Sequence, residues 1–309
     1  MSPRVDKKPP TSDSSEACLP RPEYPRPILA RDDWQSLNGR WSFRVDEDNR
    51  GLADHWFKAA WDHAGTIIVP FSMESVASGM AESEGARVVW YQREIANPEA
   101  WRGRIVLRIG ASDFHTRVFV NGLEVGQHRG GYAAFGFDIQ HALQLGRNHI
   151  TIRVEDSLSW TQPRGKQAGT TRWPIDYDGV TGIWQSVWLE PLPTVSIEST
   201  SYAYEVDKQS LHYKVFLSEH VDGEVSLEIL DGDGVVASDT VQTSGRAEVR
   251  TTLAIEAPKL WSPEQPYLYE VRLTLLNHAT GERDLAISYA GLREVSVIDG
   301  QLCLNGAPR

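Results

Sequence analysis

The sequence predicts an all-β chain made of two sandwiches in succession, a jelly-roll sandwich and then an immunoglobulin-like one. Three observations carry that expectation. Helical periodicity is almost absent, and short runs alternate apolar and polar residues with a period of two. Gly, Asn, Asp and Pro punctuate those runs. Pro191-Leu192-Pro193 then breaks the pattern, because proline cannot donate to a strand ladder.

The chain has 309 residues, enough for about two domains. Hydrophobic residues make up 40% and charged residues 24%, an ordinary globular balance. The net charge of −11 argues against nucleic acid as a partner, since a phosphate backbone needs clustered Lys and Arg. No apolar run approaches the roughly 18 residues of a membrane span. Met1 to Cys18 lacks an apolar core and is rich in Pro, Ser, Lys and Asp. We therefore expect a disordered tail over 1–21 and no secretory leader within it, hence a cytoplasmic protein. The alternative is a leader that this sequence does not include. Cys18 and Cys303 lie at opposite ends of the chain, which makes neither a disulfide framework nor a metal motif.

From 22 to 193 the alternating runs suit a jelly roll. They include Trp41–Val45, Arg104–Ile109 and Asn148–Val154, with a further strand around Trp184–Glu190. The sharpest local signal is Thr116–Val120, then Asn121-Gly122, then Leu123–Val125. Asn-Gly tolerates the positive φ angles of a type I′ hairpin turn. From 194 to 291 the rhythm changes to what we read as about seven shorter strands, as in an immunoglobulin-like sandwich without its disulfide. Candidates are Leu211–Leu217, Val225–Leu230, Val235–Asp239, Ala247–Leu253, Tyr269–Leu276 and Leu285–Ser288. Residues 292–309 read as a connector with turns at Asp299-Gly300 and Asn305-Gly306.

Several motifs fail on their context. Gly232-Asp233-Gly234 begins a dinucleotide fingerprint but is followed by a strand-like run, so it reads as a hairpin turn. Asp46–Gly51 begins like a calcium loop but has Arg50 and Phe57 where ligands belong, so it reads as a solvated acidic loop. Ser112 lacks the second glycine of a nucleophile elbow. No His spacing suits zinc, and His115, His128 and His141 read as loop or surface residues. Asp32-Asp33 and Glu82/Glu84 read as solvated faces. The expectation is therefore no metal and no cofactor.

The 11 Trp residues suit either a core or sugar-ring faces. The segment Trp173–Glu190 joins Trp, Gly and the carboxylates Asp176 and Asp178 in one loop. Carboxylates accept hydrogen bonds from sugar hydroxyls, and indoles pack on apolar ring faces. The competing reading is that Thr181-Gly182-Ile183-Trp184 only closes the sandwich, with Trp184 and Trp188 as core residues.

Taken in order, a set of segments resembles the non-catalytic front of glycoside hydrolase family 2, the family of β-galactosidases, β-glucuronidases and β-mannosidases. They are Leu37-Asn38-Gly39-Arg40-Trp41, Trp90-Tyr91-Gln92-Arg93, Val120-Asn121-Gly122, Gly130-Gly131-Tyr132 and Phe135-Gly136-Phe137-Asp138. Gly179-Val180-Thr181-Gly182-Ile183-Trp184, Leu260-Trp261-Ser262-Pro263, Gly291-Leu292-Arg293 and Leu304-Asn305-Gly306 continue the series. The resemblance implies a sugar-binding jelly roll, then an immunoglobulin-like domain, then a catalytic α/β barrel of about 300 residues that is absent from this chain. It implies β-glycosides as substrates, hydrolysed with retention by two barrel carboxyl groups about 5–5.5 Å apart. No catalytic residue is then expected in these 309 residues, and the chain alone should be inactive. The family resemblance also places an Asp just before the Gly-Ile-aromatic turn against substrate hydroxyls. That position falls on Asp176, with Asp178 the competitor, and Trp173 is a candidate subsite wall. Each Asp has turn capping as its alternative. Arg164 and Lys166 share the loop and read as solvated, the alternative being contacts to an anionic or polar substrate edge or to the barrel's surface. Expected partners are a carbohydrate, the family's barrel if it is encoded downstream, and a second copy of the chain, since front domains of the family build oligomer contacts. The competing class is a stand-alone carbohydrate-binding or assembly module.

Overall fold

Alternation of buried and exposed side chains dominates the computed structural model, which describes residues 19–81, 86–96, 101–157, 159, 161–167, 173 and 175–309. The described residues are almost entirely strand and connection, with 3-10 turns of three residues and no closed barrel. Two compact units are present. One contains residues 19–25 and Asp33–Pro191, and the other contains Arg26–Asp32 and Leu192–Arg309.

The first unit holds β1 (Gln35–Ser36), β2 (Gly39–Val45), β3 (Gly65–Val69), β4 (Val88–Ala96), β5 (Arg104–Ile109) and β6 (Ser112–Asp113). It continues with β7 (His115–Val120), β8 (Leu123–Arg129), β9 (Phe135–Asp138), β10 (Arg147–Glu155), β11 (Gly182–Ile183) and β12 (Val187–Leu192). A six-stranded sheet, β3-β2-β4-β10-β7-β8, faces a four-stranded sheet, β1-β12-β5-β9. Their inner faces share a core that includes Trp41, Tyr91, Leu107, Ile152 and Leu189. The β7–β8 turn has positive φ at both Asn121 (50°) and Gly122 (82°), as the Asn-Gly pair requires.

β4 is buried on both faces over Val88–Gln92. Val89 and Tyr91 enter the main core. Val88 and Trp90 point the other way, into a smaller cluster with Phe119, Trp56, Phe57 and Trp61. Much of the tryptophan excess is therefore structural. Asp46 borders this cluster through Trp90 and is only 3% exposed, which corrects the solvated-loop expectation for that residue. It accepts hydrogen bonds from Arg50 N, Gly51 N and Trp90 Nε1.

The second unit holds β13 (Ile197–Glu205), β14 (Ser210–Val221), β15 (Gly223–Asp231), β16 (Gly234–Gln242), β17 (Arg246–Ala254), β18 (Tyr269–Asn277) and β19 (Arg283–Ala290). They form two sheets, β13-β14-β17 and β16-β15-β18-β19, around a core that includes Leu211, Tyr213, Ile229, Val271 and Leu273. These strands run 8–12 residues, longer than expected, because turns trim little from each alternating run. Ala30 adds a two-way backbone pair with Ile287, and Arg31 forms a buried bidentate ion pair with Asp284 (2.8 Å for both bonds). A three-stranded meander of β20 (Val295–Ile298), β21 (Gln301–Leu304) and β22 (Ala307–Pro308) ends the described chain.

Three further expectations need correction. The tail expected over 1–21 falls mainly outside the described residues, but 19–21 are held in place, since Asn38 Nδ2 donates to Pro20 O and Arg21 O (both 3.2 Å). Pro191 does not end the pattern but lies inside β12, near its end, where one missing donor costs little. His115 and His128 stand on strands β7 and β8, and the His128 ring stacks on Phe135 at 4.1 Å. Glu82 and Glu84 lie outside the described residues.

Candidate functional site

The long connection between β10 and β11 carries all three residues singled out in the sequence. Trp173 N donates to Asp176 Oδ2 (2.8 Å), and Asp176 N donates to Trp173 O (2.9 Å). Asp176 thus closes a local turn, as Asp commonly does. That turn brings Trp173 and Asp176 together and leaves Trp173 62% exposed. Ile175 and Tyr177 are also exposed. Asp178 is exposed two residues on. The turn cap occupies one oxygen of Asp176, and no described residue donates to Oδ1.

Beneath this loop the sandwich supplies groups that sequence reasoning does not select. Asp113 lies on β6, only 1% exposed. Gly131 packs directly on it, where a Cβ would come within 2.6 Å of the carboxyl carbon. Asp113 Oδ2 accepts from Gln167 Nε2 (2.9 Å). Glu74 Oε1 accepts from Thr181 N (3.1 Å). Asp113 and Glu74 each retain one buried oxygen without a hydrogen-bond partner among the described residues. Burial pushes the Asp113 carboxyl up to about 6, the Gln167 amide opposes that rise, and the charges of Asp156 and Glu74 add to it. Burial also raises Glu74.

The close of the loop depends on Gly182. Its φ is +91°, and a Cβ there would lie 2.1 Å from Tyr91 Oη. Only glycine combines that backbone conformation with so close an approach. Ile183 N then donates to the Tyr91 hydroxyl (3.2 Å), whose pKa burial raises. Trp184 Nε1 donates to Gly131 O (2.8 Å), and Tyr132 meets the Trp184 ring edge-on at 6.1 Å. Trp188 is core, at 2% exposed. Arg164 is also buried, at 6%, contrary to the solvated reading, because this limb of the loop is pinned to the sandwich through Gln167. Lys166 is exposed.

Chemically the site is rich in hydrogen-bond acceptors and edged by aromatic faces, which is the equipment for holding a polyhydroxylated ring. Ser112 is fully buried and accepts from Thr116 Oγ1 (3.0 Å), so it is a structural hydroxyl. Among the described residues no three His, Cys, Asp or Glu side chains converge as metal ligands.

A jelly roll with such a loop, followed in the chain by an immunoglobulin-like sandwich, defines a class of two-domain all-β proteins with an acceptor-rich, aromatic loop on the first domain. Sequence profiles make the class specific. Residues 34–193 match the sugar binding domain of glycosyl hydrolases family 2, and residues 195–293 match the following domain of that family. The chain belongs to glycosyl hydrolase family 2. A β-glucuronidase of Paenibacillus borealis is 30% identical over 299 residues, covering 92% of this chain and 49% of that protein. The human β-glucuronidase is 30% identical over 321 residues, covering 92% and 48%. The solved structure of a Ruminococcus gnavus β-glucuronidase in complex with N1-substituted uronic isofagomine superposes with a TM-score of 0.76 at 24% identity, over 89% of this chain and 49% of that one. At that identity the likeness establishes the fold. The chain spans about half the length of the curated relatives it matches.

Proposed function

We propose that the chain is the non-catalytic front portion of a retaining glycosidase that hydrolyses β-glycosides, with β-glucuronides as the first substrate class to test. The ordered match to both family domains in a chain half the length of its relatives carries this reading. In it, 22–193 supply sugar binding, 194–291 give support, and 292–309 lead toward a catalytic barrel. The β20–β21 register supports a covering domain. It pairs Val297 with Leu302 and Val295 with Leu304, so one face of the meander presents Val295, Val297 and Leu302, all more than half exposed. An apolar face of that kind marks an interaction surface. A second copy of the chain is the other partner we propose.

Asp176 is assigned the sugar contact, through the carboxylate oxygen that the turn leaves over. Trp173 is assigned the subsite wall, and Asp178 is the alternative acceptor. A cytoplasmic location is proposed; the buried Cys303 thiol, without a disulfide partner among the described residues, suits a reducing compartment.

Both barrel carboxyl groups are required for retention, so the 309-residue chain should be inactive alone. The test is sustained release of the aryl group from aryl β-glycosides, aryl β-glucuronide included, by the purified chain. We expect none above the buffer rate. Turnover of many equivalents that co-purifies with the chain overturns the reading.

A further inference from the structure

We propose that Gln167 is a positioning residue, whose side-chain amide clamps both limbs of the loop to the sandwich and so sets where Asp176 stands. The proposal rests on the reading of Asp176 as a sugar contact. Gln167 is only 4% exposed, and its amide is almost fully engaged. Nε2 donates to Asp113 Oδ2 (2.9 Å) on β6 and to Tyr132 Oη (3.1 Å) in the loop after β8. Oε1 accepts from Val180 N (2.7 Å) on the returning limb. One planar group therefore joins three segments that are far apart in sequence.

The backbone repeats the same junction. Gln167 and Tyr177 form a parallel bridge, in which Tyr177 N donates to Lys166 O (3.1 Å). Lys166 N donates to the Tyr177 hydroxyl (3.2 Å). Asp176 is the residue before that bridge, so its position follows from the bridge, and the amide ties the bridge to the sandwich. The polarity of the clamp is specific. The carboxylate of Asp113 needs a donor and the Val180 N–H needs an acceptor, and a side-chain amide supplies both. A glutamate at 167 would keep the acceptor for Val180 but set a second carboxylate against Asp113. A buried unsatisfied pair of that kind is expensive.

The chemistry suggests a donor–acceptor reversal as the test. Gln167→Glu, Gln167→Ala, Asp113→Asn and the double variant Gln167→Glu/Asp113→Asn are made in the 309-residue chain. Amide hydrogen exchange is then followed in peptides covering 175–183, with β4 and β10 as the internal reference. We expect at least a tenfold faster exchange in 175–183 for Gln167→Glu and Gln167→Ala, with the reference strands unchanged. In the double variant the amide introduced on β6 donates to the carboxylate introduced in the loop, and exchange should return to within about threefold of the parent. Unchanged loop exchange in both single variants at 167, or no recovery in the double variant, overturns the clamp. No sugar is present in this experiment, whereas the sugar-contact reading is tested by Asp176→Asn kinetics, so either can fail without the other.

Discussion

Asp176 closes its turn with one carboxylate oxygen, so turn closure and the proposed sugar contact can be separated by substitution. Asparagine at this position retains an oxygen to accept from Trp173 N but lacks the charge. Hydrogen bonds to charged groups contribute about 1.5–3 kcal/mol, which corresponds to a loss of about 10- to 150-fold in kcat/KM. We expect that loss for Asp176→Asn in the native-length product with an aryl β-glucuronide, at unchanged thermal stability. Equal kcat/KM in variant and parent would remove Asp176 from the site. Asp113 leads to a different prediction. Its folded-state pKa is raised to about 6, so the folded protein holds that proton more tightly than the unfolded chain does. The native state then loses stability as pH rises from about 4 to about 6, and the full penalty remains above that. Replacement by asparagine removes the penalty. The Tm of Asp113→Asn minus that of the parent should be positive at pH 7 and shrink toward zero as pH falls to 4. A constant or inverted difference across that range contradicts the assignment. Asp176 is a candidate from the sequence through the family resemblance, counted back from Gly182-Ile183-Trp184 with Asp178 as its competitor. Gln167 and Asp113 are not, because they lie 54 residues apart and meet only when β6 is placed under the loop.

Strands are legible where one face is buried and the other is wet. β14 alternates almost perfectly, and the run that predicts it stands out. β13 escapes notice because Ile197 and Tyr204 are its only buried residues, so the segment reads as a polar connection. The Asn121-Gly122 turn is legible from chemistry alone, since few other residue pairs accept its backbone. By contrast, nothing local marks Arg26–Asp32 as part of the second unit. Its place there depends on a backbone pair with β19 and on the ion pair of Arg31 with Asp284. Asp284 also accepts from Ile197 N (2.7 Å), so this carboxylate ties two strands and the N-terminal segment. Both side chains are nearly enclosed, at 5% and 2% exposure. Removing one member of such a pair costs about 3–5 kcal/mol, whereas replacing both by apolar groups costs far less. Arg31→Met should lower the stability of the second unit by that amount in denaturant unfolding, and Arg31→Met/Asp284→Leu should recover part of it, the remainder reflecting the Ile197 N–H left without the Asp284 acceptor. A single variant within about 0.5 kcal/mol of the parent, the usual range for surface changes, would show the pair to be dispensable.

At the scale of the whole chain, the proposed reading gives the first sandwich and its loop a sugar-binding role and the second a supporting one, and the barrel carboxyl groups that retention needs would come from another domain. The apolar meander face at β20–β21 points the same way. The sequence carries this reading because small pieces, each weak alone, occur in the order of the family. In the proposed reading the particular sugar depends on residues of the barrel, so it is not legible in this chain. The most direct measurement is the mass of the native gene product in its source cells, by immunoblot with antibody raised against this chain. A band far above 34.6 kDa that carries aryl β-glycosidase activity after immunopurification is the expected result. A band at 34.6 kDa, with no longer product, would contradict the front-portion reading and leave a stand-alone carbohydrate-binding or assembly module.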